Sequence, residues 1–209
     1  MNWLFTVAVV IILLIAGLML FFFMPKPTVF FDPYVTVTEV FANQHSLIKK
    51  EVLDNQTQDV KDPVIPIYGF GKIKSIQYPE LYNLLTNIPG LQNAGIINLK
   101  PKFNQVRGYG LALAVNNTVR HFYTIQESSG HKSGIWIDGE KRFFVADKFI
   151  CGDMSREHSL FNKDKERYAT ILFIDVDRQE GSGKSPNTDI NKDEILKMFH
   201  TYTKEEHDN

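Results

Sequence analysis

The sequence predicts a mainly β protein of the jelly-roll class, with flanking helices and one transmembrane helix before them. Aromatic residues are abundant, with 16 Phe and 8 Tyr among 209 residues, and aromatic side chains favour strands. After Gly95 eight short strand-like segments follow one another between turn signals, which is the number of strands in a jelly roll. The run from Trp3 to Met24 contains no charged residue and is long enough to cross a bilayer as a helix.

Composition excludes several classes of function. The net charge is −1 and no basic tract occurs, so nucleic acid is not expected as a partner, because phosphate binding needs clustered Lys and Arg. Cys151 is the only cysteine. An internal disulfide and a cysteine zinc site are therefore excluded, and the chain fits a reducing compartment.

The N-terminal apolar run predicts an uncleaved membrane anchor. A secretory signal would have a shorter apolar stretch, a basic start and small residues at a cleavage site, and the run from Trp3 to Met24 shows none of these. No Lys or Arg precedes the run, while Lys26 follows it. The positive-inside rule then places the globular part in the cytoplasm, with the membrane as a partner through this helix.

Two helices and a strand are predicted between the anchor and the β-rich region. Apolar residues recur near helical spacing from Thr36 to Asn55, which indicates one amphipathic helix. The segment from Ile65 to Ile73 is typical of a strand. A short helix is expected from Pro79 to Gly90, because Pro stands at its start and Pro-Gly at its end.

The β-rich region then contains the strands of the predicted jelly roll. The segments are AGIINLKP, QVRGYGLALAV, TVRHFYTI, SGIWIDG, KRFFVA, KFICGD, EHSLFN and RYATILFIDVD, between residues 94 and 177. Asp138-Gly139 is a typical hairpin turn between two of them. The expected domains are an anchor over 1–27, the jelly roll over 28–178 and a polar tail over 179–209 with one short helix.

His158 is the residue on which a catalytic interpretation depends. It follows an acidic and hydroxyl-rich turn, and Glu157 and Asp153 are close in sequence. A histidine at the rim of a jelly-roll strand, together with a carboxylate, supplies part of a non-haem Fe(II) site. A single histidine with nearby acids is more often structural, so this signal alone does not choose between a metal ligand and a structural residue.

A series of motifs follows one another between Ile65 and Arg178. They are YGFG, PELYNLL, NIPGLQNAGI, LKP, VRHFYTI, IWIDGE, DMSREHSLFN and ILFIDVDR. In their order and spacing this segment resembles the aspartyl/asparaginyl β-hydroxylase family, and within it the bacterial branch that includes the lipid A hydroxylase. The resemblance implies a double-stranded β-helix, a form of jelly roll, that binds Fe(II) and 2-oxoglutarate.

The resemblance also implies site residues. His158 falls on the second metal histidine, and Arg120 falls on an arginine that contacts the cosubstrate. The later cosubstrate arginine aligns with Ala169, and Arg167 is expected to replace it from two residues earlier.

Two family histidines have no counterpart here. The first metal histidine is replaced by Gly108 or Leu111, depending on the gap. The position of the other family histidine holds Phe122 in this chain. His121 lies one residue away from that position. Because adjacent side chains of a strand point to opposite faces, His121 is expected to point away from the pocket if Arg120 points in.

Three hypotheses follow from these residues. The first is an Fe(II)/2-oxoglutarate-dependent hydroxylase of a membrane-associated lipid or protein, with His158 on the metal and Arg120 and Arg167 on the cosubstrate. The second is a pseudoenzyme that keeps the fold as a binding or scaffold module at the membrane. The third is a structural membrane protein whose aromatic residues form its core.

Overall fold

The computed structural model describes residues 7, 10–15, 28–55, 64–69, 77–105, 107–109 and 117–179. Within these ranges two antiparallel sheets pack face to face, and helices cover the outer face of the larger sheet. The helices are α1 (Val35–Phe41), α2 (His45–Asn55) and α3 (Pro79–Leu85). The strands are β1 (Phe30–Phe31), β2 (Val64–Gly69), β3 (Leu91–Leu99), β4 (Phe103–Asn104), β5 (Gly108–Tyr109), β6 (Thr118–Gln126), β7 (Ser133–Ile137), β8 (Glu140–Phe143), β9 (Phe149–Gly152), β10 (Glu157–Asn162) and β11 (Ala169–Asp177).

The strand order is that of a jelly roll. Sheet A has six strands in the order β1-β9-β6-β11-β3-β2, and sheet B has five, β4-β10-β7-β8 with β5 also paired to β10. From β3 onward the chain crosses repeatedly between the sheets, with β4 and β5 and then β7 and β8 as consecutive strands of sheet B, so that strands far apart in sequence become neighbours. Two facing antiparallel sheets connected in this way form a double-sheet jelly roll, which confirms the jelly-roll part of the predicted fold class.

Alternation along each strand divides the core into two layers. On β6, the side chains of Val119, Tyr123 and Ile125 pack against the helices, while Phe122 packs between the sheets. The central part of sheet A is therefore buried on both faces. Only a polar side chain with a partner is stable at such a position, which makes the polar residues between the sheets informative.

The hairpin turn at Asp138-Gly139 is confirmed. Both residues have positive φ, 45° and 97°, as a two-residue turn between right-twisted strands requires. The turn fixes the register of β7 and β8, in which Ile137 is paired with Glu140 and Trp136 with Lys141. Both side chains of the second pair therefore lie on the outer face of sheet B.

The single helix predicted from Thr36 to Asn55 is wrong, because the structure has two helices there. Asn43 has φ of 62°, a left-handed conformation that interrupts a helix and that Asn tolerates better than most residues. The chain resumes as α2 with the bond from the Ile48 N–H to the Gln44 carbonyl, 3.0 Å. The other predicted helix ends at Leu85 instead of Gly90.

The expected single-pass membrane localisation is also wrong. In the part of the chain that the structure describes, no helix is long and apolar enough to cross a membrane. Within the run from Trp3 to Met24 the structure describes residues 7 and 10–15. The rest of Trp3 to Met24, and the tail from 180 onward, lie outside the described residues. The domain boundaries stay a prediction.

Candidate functional site

His158 faces the space between the two sheets. On β10 it is paired with Ile137 of β7, and two residues later Leu160 is paired with Ile135. Ile135 and Ile137 are fully buried between the sheets. Because directly paired residues of antiparallel strands point to the same face, the imidazole of His158 enters the same layer near its end.

The Nδ1 atom of the His158 ring is held by a backbone carbonyl. Nδ1 lies 2.8 Å from the carbonyl oxygen of Arg156. A carbonyl can only accept, so Nδ1 carries the proton and Nε2 carries the lone pair. Burial lowers the pKa of His158, and the positive charge of Arg120 lowers it further, against the opposing effects of the backbone hydrogen bonds with Arg156 and Met154. The imidazole is therefore neutral near pH 7.

Arg120 reaches the same layer from sheet A, where it is held by an acidic partner. Its Nε and a terminal nitrogen donate to the two carboxylate oxygens of Asp175, at 2.6 and 2.8 Å. Arg120 and Asp175 are direct partners across β6 and β11, and the ring of Phe173 lies 4.4 Å from the guanidinium carbon. We call Arg120, His158, Phe173 and Asp175 the interior cluster.

The donors around His158 do not fit an Fe(II) centre. A non-haem Fe(II) site takes two histidines and a carboxylate, and no group of three His, Cys, Asp or Glu side chains suited to a metal occurs among the described residues. The charged side chain that affects the pKa of His158 is the guanidinium of Arg120, which is a cation and cannot act as a metal ligand. Gly108, with no side chain, is the residue paired with His158 on β5.

His121 lies on the opposite face of β6 from Arg120, as strand alternation predicts. Its Nε2 accepts from the backbone N–H of Tyr34 at 3.1 Å, and its ring stands edge-on to the Tyr34 ring at 4.8 Å. It is fully buried under the helix layer. His121 therefore cannot supply the missing imidazole, and Leu111, the other candidate position, lies outside the described residues.

Arg167 is not brought to the interior cluster. It is exposed in the loop before β11, where its backbone N–H donates to Asp164 at 3.1 Å and its carbonyl accepts from Asn162 at 2.9 Å. Asp175 stands six positions beyond the first residue of β11, about 20 Å along the strand. Arg167 and Arg120 thus lie at opposite ends of the sandwich, which does not support a shared cosubstrate contact.

The two carboxylates near His158 in sequence are placed away from it or already engaged. Glu157 precedes His158 on β10, so its side chain points to the other face of the strand. Asp153 is buried and accepts from the backbone N–H of Ser155 at 3.1 Å, and a guanidinium nitrogen of Arg178 lies 3.2 Å from it. Asp153 therefore stabilises the turn before β10.

A groove crosses the outer face of sheet B, on the far side of β10 from the interior cluster. Its volume is about 320 Å³, the lower end of the range for small-molecule sites. We call it the outer groove. Its lining residues are Asn104, Gln105, Arg107, Trp136, Lys141, Phe143, Ser159, Phe161 and Lys163.

The register of three strands builds the outer groove. Lys141, Trp136 and Ser159 stand side by side on β8, β7 and β10. In the next row Gly134 separates Phe143 from Phe161, whose rings meet edge to face with centroids 6.1 Å apart. A Cβ on Gly134 would clash with the Arg142 carbonyl oxygen and would lie 2.8 Å from Cζ of Phe161, so the close approach of β8 and of the Phe161 ring requires glycine here.

The outer groove is basic and aromatic. Arg107, Lys141 and Lys163 line it, and none of the lining residues that the structure describes is acidic. The guanidinium carbon of Arg107 lies 4.0 Å from the centre of the Trp136 ring, and the Lys163 ammonium lies 5.8 Å from that of Phe161. Sequence reasoning did not find this site, although the Asp-Gly turn already implied the pairing of Trp136 with Lys141.

Comparisons with known proteins add a general likeness of fold. No family model and no curated protein matches the chain. Similar solved structures include TT1209 from Thermus thermophilus (10% identity, 61% of this chain and 95% of that one, TM-score 0.39). Two others are a cupin 2 conserved barrel domain protein from Salinispora arenicola (10%, 58% and 87%, 0.36) and the Cnp3 cupin domain of Schizosaccharomyces pombe (12%, 43% and 58%, 0.34). These TM-scores are low, and the jelly-roll assignment rests on the strand order of this chain.

Proposed function

We propose that the chain is a jelly-roll binding domain that takes an anionic ligand in the outer groove. The observation that supports it is the basic, carboxylate-free lining of this groove. Lys141 and Lys163 are exposed, and the ion pairs between described residues use other cations, among them Arg120 and Arg178. Cations that no carboxylate neutralises attract anions.

In this proposal the interior cluster stabilises the fold and does not bind the ligand. Asp175, whose side chain is 1% exposed, already accepts from Nε and one terminal nitrogen of Arg120, so a 2-oxoglutarate carboxylate could take this two-point contact only by displacing it. Displacement would leave a buried carboxylate without its partner, which costs about 3–5 kcal/mol when a buried pair is broken. Arg120 and Asp175 therefore tie β6 to β11 instead of holding a cosubstrate.

The second candidate function is the hydroxylase activity that the family resemblance implies. One observation favours it, the state of the His158 ring. A metal-binding imidazole donates its other ring N–H to a carbonyl or carboxylate, and His158 donates Nδ1–H to the Arg156 carbonyl. The donor set described above weighs against this candidate.

Thermal unfolding with inorganic pyrophosphate tests the proposed function. Millimolar pyrophosphate is expected to raise the melting temperature of the full chain, since a ligand that binds only the folded state stabilises it. The double substitution Lys141→Glu and Lys163→Glu should remove the shift. Lys148→Glu, at an exposed lysine outside the groove, is the control that should keep it. An equal shift in the double variant would refute the proposal.

A second measurement decides between the two candidate functions. Fe(II) with 2-oxoglutarate, without oxygen, is expected to shift the melting temperature of the wild type and of His158→Ala equally. His131→Asn, at an exposed histidine with positive φ, controls for iron bound at surface imidazoles. A stabilisation that only His158→Ala abolishes would establish the hydroxylase site and contradict the structural role given to the interior cluster.

A further inference from the structure

We propose that the ligand of the outer groove is a nucleotide, a planar base joined through its sugar to a phosphate. This inference rests on the proposed function and adds the chemical class of the ligand. It combines two features that the lining residues share, flat π surfaces and positive charge. Neither feature alone would distinguish a nucleotide from a simple anion or an apolar molecule.

The base has a stacking surface at Trp136. This indole lies in the middle strand of the groove, half-buried, and the guanidinium of Arg107 lies 4.0 Å from its ring centre. Indole rings and guanidinium planes both stack on nucleobases. Arg107 and Trp136 together therefore provide a flat, cationic platform for one base.

The phosphate has partners beside this platform. Lys141 is the direct neighbour of Trp136 across β7 and β8, so its backbone lies about 5 Å away. Lys163 extends from the end of β10 over the ring of Phe161. A phosphate monoester carries close to two negative charges at pH 7, and ammonium groups bind it as point charges without a fixed geometry.

Uncharged polar side chains of the groove can form hydrogen bonds with polar atoms of the nucleotide. Asn104, Gln105 and Ser159 are the uncharged polar residues of the lining. The side-chain oxygen of Gln105 already accepts from the Leu160 N–H at 3.1 Å, which fixes its amide and leaves its NH₂ as a donor. The groove volume of about 320 Å³ suits one small ligand, so we assign a free mononucleotide instead of a nucleic-acid strand.

Tryptophan fluorescence tests this assignment directly. The chain has two tryptophans, so Trp3→Phe in the full-length protein leaves Trp136 as the only one, inside the groove. AMP is expected to quench its emission and to bind at least tenfold more tightly than adenosine or inorganic phosphate. Lys141→Ala should weaken AMP at least tenfold while changing adenosine little, and Lys148→Ala should change neither.

The ligands compared in this experiment distinguish a failure of the nucleotide assignment from a failure of the proposed function. Phosphate binding as tightly as AMP would overturn the nucleotide assignment and leave the anion site in place. Binding of an oligoadenylate strand without binding of AMP would overturn the choice of a free nucleotide. If neither AMP nor pyrophosphate binds, both the assignment and the proposed function fail. Calorimetry on Arg107→Ala is the independent check, since a tenfold loss is expected for AMP but not for pyrophosphate.

Discussion

The ion pair between Arg120 and Asp175 changes how the interior cluster is interpreted. The sequence placed Arg120 at a cosubstrate position by resemblance, and the structure places it between the sheets. Its charge is nevertheless matched by Asp175, in two bonds of 2.6 and 2.8 Å. The match could not be read from the sequence, because the two residues are 55 positions apart and become neighbours only through the pairing of β6 with β11.

A double-mutant cycle measures what this pair contributes. Arg120→Met should lower the free energy of unfolding by about 3–5 kcal/mol, because it leaves the buried Asp175 carboxylate uncompensated. Adding Asp175→Leu should restore most of the loss, since a well-packed apolar pair often replaces a buried ion pair at little cost. Urea unfolding of the three variants checks this. Additive losses in the double variant would show that the residues are not coupled.

The buried imidazole of His121 makes the free energy of unfolding depend on pH. Burial lowers its pKa from 6.5 to about 4, against a weaker opposing effect of the Val119 backbone. The folded state therefore binds this proton less tightly than the unfolded chain. The contribution of His121 to the free energy of unfolding is therefore fully present above pH 6.5. It is lost as the pH falls from 6.5 to about 4.

Unfolding free energies at two pH values test the effect. Between pH 7.5 and 4.5 His121 should account for a loss of roughly 2 to 3 kcal/mol. His121→Gln keeps an acceptor for the Tyr34 N–H without a titrating ring, so its loss over this interval should be smaller by that amount. His131→Asn, at an exposed histidine, should keep the wild-type dependence. An unchanged slope in His121→Gln would show that His121 is not the group responsible.

At the scale of elements, strands were predicted better than helices, for a local reason. TVRHFYTI and EHSLFN correspond to β6 and β10 almost residue for residue, because turn signals bound each apolar run on both sides. The two-residue strands β1 and β4 are too short to produce a pattern. The helix from Thr36 to Asn55 was predicted as one element because its apolar spacing continues across the break at Asn43.

Substitution at Asn43 tests whether its backbone conformation sets this break. Asn43→Val should lower the free energy of unfolding by about 1–3 kcal/mol, because a β-branched residue is strained at φ of 62°. Asn43→Gly should be nearly neutral, since glycine adopts this region freely. Thermal unfolding of both variants measures the difference. Equal effects of Val and Gly would indicate that the Asn side chain, and not the conformation, matters.

At the scale of the molecule, the jelly roll assembles sites from residues that are remote in sequence. The outer groove draws Arg107, Trp136, Lys141 and Lys163 from three strands and their flanks, and each is unremarkable in its own segment. Local turn chemistry predicted only the pairing of Trp136 with Lys141. The remaining neighbours depend on β10 lying between β4 and β7, which no local pattern determines.

The same non-local pairing predicts that the domain unfolds as one unit. β11 joins β3 to β6 in sheet A, and Phe122, Ile171 and Leu160 belong to one core between the two sheets, so neither sheet keeps its core without the other. In the Trp3→Phe protein, urea unfolding followed by Trp136 fluorescence reports sheet B, and far-UV circular dichroism reports the helices and both sheets. The two curves should coincide, and refolding should take milliseconds to seconds, as in other all-β domains. A fluorescence change that is complete at lower urea than the loss of secondary structure would show that sheet B opens first and that the groove is formed by a separable layer.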